Sequence, residues 1–361
     1  MNSPSPGIPL DAALNGPGTS SLTATVSNQT PDWDAFLASQ PQAGIFHDPR
    51  WGLVMQRAYG NRPYYLTATR AGQVVGCLQL VHQKSLLFGS HLCSLPYFDA
   101  AGIVASDVAA TELLLNESRR LLQRLKAKWV ELRHIQPVDD ALPSRTDKIT
   151  LRLSLPSTAE ELWGQLKAKV RNQIRKAQQA GLLTASGGVE LIDEFHAVYC
   201  RNMRDLGSPP HALRFFRWIA ETFGAAVRLH VVRLGDRPVA ASFTLRTGSV
   251  VCVPWAGSDW RVNDLCGNML LYWAMLEDAC RLGATCFDFG RSTRDSGTHK
   301  FKKQWGAEEV QLHWHYLLRA GVAKPQPLIV GGAFRVMTGM WRRLPVSLAR
   351  RLGPSIISRV T

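Results

Sequence analysis

The chain has 361 residues, 45% of them hydrophobic and 19% charged, with a net charge of +14 and an isoelectric point near 9.8. This composition is that of an ordinary soluble globular protein, long enough for two domains or one large one. The charge favours an anionic partner: nucleic acid, a phosphorylated substrate or an acidic membrane surface.

Residues 1–28 are rich in Ser, Pro, Gly, Thr and Asn, and are expected to be disordered. They hold neither a basic n-region nor a continuous apolar h-region, so no secretory signal is expected. No apolar run approaches the ~18 residues of a membrane span. Seven scattered cysteines without a CxxC pair read as buried free thiols in a reducing compartment, and the expected location is the cytoplasm.

Order is expected from Trp33, with a short helix. Residues 64–70 and 73–82, joined by Ala71-Gly72, read as a β-hairpin. A strand pair near 85–95 and the loop LPYFDAAG (95–102) follow, then a helix over 107–127 and a strand over 129–134. Beyond a connector at 137–144 the pattern begins again. Strand 149–154, helix 158–180, helices near 190–205 and 210–222, and strands 226–234, 237–247 and 249–255 come in turn. Helix 264–282, strand 284–289 and a last strand at 310–318 complete it. Two halves that each mix meander strands with helices predict a duplicated α+β unit. The expected boundaries are 29–145, 146–320 and a basic tail over 321–361.

The most informative stretch is FDFGRSTRDSGTHKFKKQWGAE, 287–308. An apolar strand breaks at Gly290 and gives way to a polar loop and the cations Lys300, Lys302 and Lys303, closed by Trp305-Gly306. Ligands gather at the carboxyl ends of strands in open α/β sheets, so this strand end is expected to meet an anionic, oxygen-rich substrate. Upstream, LWGQLKAKVRNQIRKAQQAG places Lys167, Arg171 and Arg175 at i, i+4 and i+8. Like charges at that spacing repel by ~0.2–0.5 kcal/mol per pair, a cost that phosphate contacts would offset, although a solvated face is the alternative. Pro254, inside the apolar strand 250–257, lacks an N–H and should make that strand bulge or splay. Asn263 or Asp264 is the expected N-cap of the next helix, and Gly267, with Asn268, would open its first turn to a ligand. His313 and His315 share a strand face, but two histidines without a third ligand do not make a metal site.

The 287–308 motif, the KVRNQIRKA helix and the LPYFDAAG loop together resemble the FemABX-type aminoacyltransferases, tandem-domain relatives of the GNAT N-acetyltransferase fold. The resemblance spans about residues 45–318 and is nearest to the branch found with exosortase/PEP-CTERM exopolysaccharide systems, which the basic tail also fits. It implies a pair of GNAT-like domains with mixed, mostly antiparallel sheets. It further implies transfer of an aminoacyl or acyl group onto an amine of a cell-envelope polysaccharide or peptidoglycan-type precursor. No permanently bound cofactor is implied; the donor would be an aminoacyl-tRNA or an acyl-CoA, and the acceptor a lipid-linked saccharide or peptide.

On that reading Asp288 and Lys303 are the expected catalytic residues, with Asp288 either a general base or amine anchor or a capping carboxylate. Lys300, Lys302 and Arg291 would grip phosphate or stabilise the oxyanion, and Ser292 would hydrogen-bond the substrate. Trp305, Tyr97, Asp99 and Trp255 would line the acceptor cleft, Lys167, Arg171 and Arg175 would hold donor phosphates, and Gly267 and Asn268 would meet the donor. The sequence departs from the pattern where acetyl-CoA-dependent GNAT enzymes carry an Arg/Gln-x-x-Gly-x-Gly/Ala loop, since Ala256-Gly-Ser-Asp-Trp-Arg261 stands there. It also lacks the coiled-coil arm of several bridge-building relatives. The donor therefore stays open.

The tail, 321–361, has seven Lys or Arg residues and no acidic one. Leu328, Ile329, Phe334, Met337, Met340, Trp341 and Leu344 alternate there with arginines, which suits an interfacial helix on an anionic leaflet. A helix packed on the catalytic domain is the alternative. A non-catalytic basic adaptor that binds RNA or anionic lipid is the competing function.

Overall fold

A computed structural model describes residues 21–85, 89–325 and 332–360. Its strands form two mixed sheets. The first half supplies β1 (Leu22–Ser27), β2 (Arg62–Arg70), β3 (Gln73–Ser85), β4 (Gly89–Cys93), β5 (Val104–Ala105), β6 (Trp129–His134) and β7 (Ser144–Arg145). The second supplies β8 (Ile149–Ser154), β9 (Leu182–Gly187), β10 (Val227–Leu234), β11 (Arg237–Thr247), β12 (Val250–Ser258), β13 (Cys286–Ser292) and β14 (Glu308–Gln311), and β15 (His313–Leu318) follows. The helices are α1 (Asp34–Ser39), α2 (Arg50–Tyr59), α3 (Val108–Arg124), α4 (Ala159–Gln165), α5 (Ala168–Gln179), α6 (Ile192–Leu206), α7 (Leu213–Phe223), α8 (Gly267–Arg281), α9 (Gly297–Lys303), α10 (Gly332–Arg342) and α11 (Val346–Val360).

The expected hairpin is β2–β3, turned by Ala71 and Gly72 at φ 51° and 76°, the left-handed conformation that matches strand twist. Each sheet holds one parallel pair, β4 with β6 and β12 with β13, crossed over by α3 and α8 respectively. This repeated unit is the expected duplication.

The halves are not closed, however. The strand expected over 310–318 is broken at Leu312: β14 stays in the second sheet, while β15 inserts between β6 and β7 of the first. In the second sheet β8 takes the corresponding place, between β13 and β14. The boundary expected at residue 320 is thereby corrected, because residues 313–318 complete the first sheet. Leu22–Ser27, expected to be disordered, pairs antiparallel with β2 along its whole length; residues 1–20 lie outside the described ones.

Two further expectations change. The helix over 158–180 is two helices, because Leu166 is extended at φ −65° and ψ 141°. Gly164 weakens the last turn of α4, and the Arg171 guanidinium turns back to donate to the carbonyls of Trp163 and Gly164. The lysines of the KFKK run sit on α9, a helix rather than a loop, capped by Ser296, whose hydroxyl accepts from the His299 N–H at 3.2 Å.

Packing joins the halves. One core lies between α4, α5, α8 and the second sheet, and another between α3 and the first. A third, aromatic core mixes Trp51 and Phe98 of the first half with Phe195, Phe215, Phe216 and Phe243 of the second. The cleft described next opens beside this shared core.

Candidate functional site

The parallel pairing of β12 and β13 runs only from Val250–Cys252 against Cys286–Asp288. Beyond it both strands lose register with their outer neighbours. β12 shifts against β11 between Phe243 and Leu245, next to Pro254, and β13 shifts against β8 between Asp288 and Arg291, where Gly290 takes φ 73°. Two irregularities at one level part the strands, as the proline predicts. The gap is a cleft of about 270 Å³, with Cys252, Val253, Pro254, Asp288, Phe289 and Gly290 as its floor. Tyr97, Phe98, Asp99 and Ala100 of the first half close one side, and Thr298 and Lys302 of α9 close another.

Asp288 is almost fully engaged. Its Oδ1 accepts from the Thr150 hydroxyl at 2.5 Å and from the Gly290 N–H at 2.8 Å, and its Oδ2 accepts from Arg152 Nε at 3.0 Å. Of the two roles expected for it, the geometry fills the capping one: the carboxylate fixes the Gly290 turn and Arg152. Asp288→Asn should therefore lower stability by about 2 kcal/mol, because an amide N–H₂ then faces donors. Thermal unfolding checks this; unchanged stability would show that the carboxylate does not serve the fold.

Lys302 is 7% exposed, and its ammonium donates to the carbonyls of Gly290 at 2.8 Å and Arg291 at 3.0 Å. Burial lowers its pKa to about 8, while Asp288 and Asp99 pull it back upward. At neutral pH it is still a cation, held against the turn that parts the strands. Lys303, expected to be catalytic, is half-exposed and lies 3.3 Å from Glu309 Oε1, away from the cleft lining. Glu309 also binds Arg294 and His299, which together hold its carboxyl below the usual range. Lys300 is exposed and is not part of the lining either. On the short helix α9 adjacent positions point apart, so only Lys302 faces inward.

Arg291 lines the cleft beside Asp99, with Nη1 3.1 Å from Oδ1, and its guanidinium lies over Trp314 at 5.2 Å. Asp99, Asp288, Arg291 and Lys302 balance in charge, so the cleft itself is not the strongly cationic pocket the sequence led us to expect. Tyr97 lines the cleft and adopts φ 74°, strained for a side-chain-bearing residue.

Several expected residues lie elsewhere. Trp255 packs into the shared aromatic core, 5.0 Å from Phe216, while its neighbours Pro254 and Ala256 line the cleft. Ser292 and Trp305 are buried and outside the lining. Lys167 begins α5 instead of lying within a longer helix, and Arg175 sits over Trp163 at 5.5 Å; with Arg171 they lie outside the cleft lining. Neither Asn263 nor Asp264 caps α8. Cys266 takes that place at φ 59°, and Asn263 and Asp264 fall in the preceding 3-10 turn.

The cations that sequence reasoning missed gather where β12 leads into α8. Asp259, 2% exposed, binds Arg201 at 3.1 Å, Arg261 at 2.6 Å and Arg237. Three guanidiniums on one carboxylate leave two positive charges in surplus beside the start of α8. Trp260, 61% exposed, stands next to them. A Cβ added to Gly267 would meet nothing nearer than 3.8 Å, so the first turn of α8 is open to close approach. Asp259, Trp260 and Arg261 are consecutive in the sequence, whereas Arg201 and Arg237 come from other elements.

Residues 164–303 match the acetyltransferase (GNAT) domain family. The solved structure of FemX is similar at a TM-score of 0.64 and 15% identity, over 82% of this chain and 97% of that one. L-PGS from Bacillus licheniformis is similar at 0.55 and 11%, over 88% and 98%. A tandem GNAT protein from the clavulanic acid biosynthesis pathway is similar at 0.50 and 10%, over 85% and 100%. The chain has a tandem GNAT-like fold. No curated protein matches it by sequence.

Proposed function

We propose that the chain is an N-acyltransferase that moves an aminoacyl or acyl group onto an amine of a cell-envelope polysaccharide or peptidoglycan-type precursor. The observation that carries this reading is the parted β12–β13 pair with the buried Lys302 ammonium at its rim. Attack of an amine on an activated carbonyl builds negative charge on the carbonyl oxygen, and a fixed cation in a water-poor cleft stabilises that charge far more in the transition state than in the ground state. Arg291 and Asp99, the ion pair that lines the cleft with Lys302, orient the acceptor. Asp288 acts by holding the turn from which the Gly290 and Arg291 carbonyls reach Lys302.

The donor's phosphates are assigned to Arg201, Arg237 and Arg261, with the Gly267 and Asn268 N–H groups at the start of α8. This chemistry serves an aminoacyl-tRNA and an acyl-CoA alike. Incubation with labelled aminoacyl-tRNA or labelled acetyl-CoA, each with amine-bearing envelope precursors, tests the reading: label should pass from one donor to an amine. No label passing from either would refute it.

The acceptor is met at an anionic membrane surface through the tail. Among the described residues no helix is long and apolar enough to cross a membrane. Val336, Met337 and Met340 of α10 and Leu348, Leu352 and Ile356 of α11 are nevertheless exposed, together with Arg342, Arg343, Arg350 and Arg351. Of the tail residues named from the sequence, Leu328, Ile329 and the Phe334 side chain lie outside those described. Replacing Met337, Met340, Leu348 and Leu352 by serine should weaken binding to phosphatidylglycerol vesicles about tenfold or more at low salt. Unchanged partitioning, there or after deletion beyond residue 320, would remove the membrane role of the tail.

A further inference from the structure

A second basic site lies outside the cleft. Two adjoining cavities, about 420 and 560 Å³, share Tyr59, Gly60 and Ser358 and form one groove between the end of α2, the start of α7 and α11. Arg57 and Arg214 line the first, and Arg62 and Lys84 the second. Among the described residues no carboxylate lines either. Among the described residues none of these four cations has an ion-pair partner: Arg62 donates to the neutral Asn28 amide oxygen at 2.7 Å, and Arg214 lies over Trp218 at 5.7 Å. Arg228 and Arg233, by contrast, each hold a carboxylate. Their crowding is felt by His82 in the same groove, whose pKa is lowered by burial first and then by Lys84 and Arg62. Like charges left together without a counter-ion are unfavourable for folding and favourable for holding an anion.

A second observation points the same way. Asn61 lines the groove, is 9% exposed, and its Nδ2 has no acceptor among the described residues. A buried amide donor without a partner costs about 1–3 kcal/mol, which an acceptor oxygen in the groove would relieve.

We propose that this groove binds a phosphate or diphosphate ester. Guanidiniums take phosphate oxygens in paired N–H···O bonds, the lysine adds charge, and Asn61 and Ser358 supply neutral donors. The groove lies one aromatic layer from the cleft: the Tyr59 ring, in its wall, is 5.4 Å from that of Tyr97, which lines the cleft. The Tyr97 hydroxyl also donates to the Ile357 carbonyl of α11 at 3.4 Å. An acceptor anchored here by its phosphate would present its amine-bearing part towards Lys302. The assignment to the acceptor rests on the transferase reading, whereas the anion site does not.

Titration calorimetry of the full chain with inorganic diphosphate tests the site. The wild type should bind, and Arg57→Glu with Arg214→Glu should weaken binding about tenfold or more. The charge-matched control Arg119→Glu with Arg120→Glu, both exposed on α3, should change it less than about twofold. Asn61→Leu, which alters no charge, should also weaken binding without lowering the unfolding temperature. Binding absent at ~1 mM, or lost equally in the Arg119/Arg120 control, would overturn the proposal. Phosphatidylcholine vesicles doped with a long-chain lipid diphosphate separate the sources. Capture lost in the Arg57/Arg214 variant marks a lipid-borne ester, whereas binding of the soluble diphosphate alone marks a soluble one. Diphosphate binding without any acyl transfer by the wild type would remove the transferase reading alone, and transfer without diphosphate binding would remove the groove alone.

Discussion

Lys302→Met is expected to lower kcat/KM by about 10²–10³, the loss seen when a single oxyanion donor is removed from a preorganised site, while the protein remains at least as stable as wild type at pH 7. The two effects have one cause. Lys302 is buried as an ammonium, and burial has brought its pKa from 10.5 to about 8. Below pH 8 both the folded and the unfolded chain carry the proton, and the folded state bears the full cost of a buried charge, on the order of 3 kcal/mol. Between pH 8 and 10.5 the unfolded chain binds more protons, so wild-type stability should rise with pH across that window. The methionine variant lacks the rise. It also lacks the two bonds to the Gly290 and Arg291 carbonyls, which offsets part of the gain at neutral pH. Thermal unfolding from pH 7 to 10.5, compared between the two proteins, reads the difference directly. Wild-type transfer should fall above about pH 8 as Lys302 loses its charge. A variant with wild-type rates, or with a stability curve parallel to wild type, would remove Lys302 from the chemistry.

Asp259→Ala should destabilise the fold by about 3 kcal/mol. The carboxylate is 2% exposed and holds Arg201, Arg237 and Arg261, which come from α6, β11 and the loop itself. Removing it leaves three guanidiniums, each a third to a half exposed, facing one another. Exposure lets water absorb part of the repulsion, which puts the expected cost at the lower end for a broken buried pair. Added inorganic diphosphate should then raise the unfolding temperature of the variant more than that of the wild type, because the anion replaces the missing carboxylate. Equal shifts in both proteins would show that these arginines serve the fold and do not receive donor phosphates. The same experiment with Asp259→Asn keeps the shape and isolates the charge.

The parts of the fold readable from the sequence are those governed by local chemistry. Ala71-Gly72 announces a hairpin, Pro254 announces a parted strand, and FDFG announces a strand that ends at a glycine turn. The crossing of β15 into the first sheet was not readable, since the alternation of His313–Leu318 satisfies either sheet and only the break at Leu312 selects the first. The continuous apolar stripe through Leu162, Leu166, Val170 and Ile174 hid the break between α4 and α5, because both helices bury it against the same core. Leu22–Ser27 alternates inward and outward as a strand should, but its Ser/Thr-rich surroundings masked that signal.

The site followed the same rule. The motif over 287–308 located the cleft, yet it could not rank Lys300, Lys302 and Lys303. Their directions depend on where α9 begins, which the Ser296 cap fixes, and on Glu309, which draws Lys303 outward. The Asp259 cluster draws its cations from three separate segments, and no spacing in the chain brings them together. Each half of the site thus combines a local signal with contacts that exist only after the sheets have closed.

Mass spectrometry of envelope glycans and peptides from cells that carry the wild-type chain, no chain, or the Lys302→Met chain tests the central claim most directly. The account predicts an acyl or aminoacyl increment on an amine in the first sample and its loss in the other two. The same spectrum in all three would contradict it.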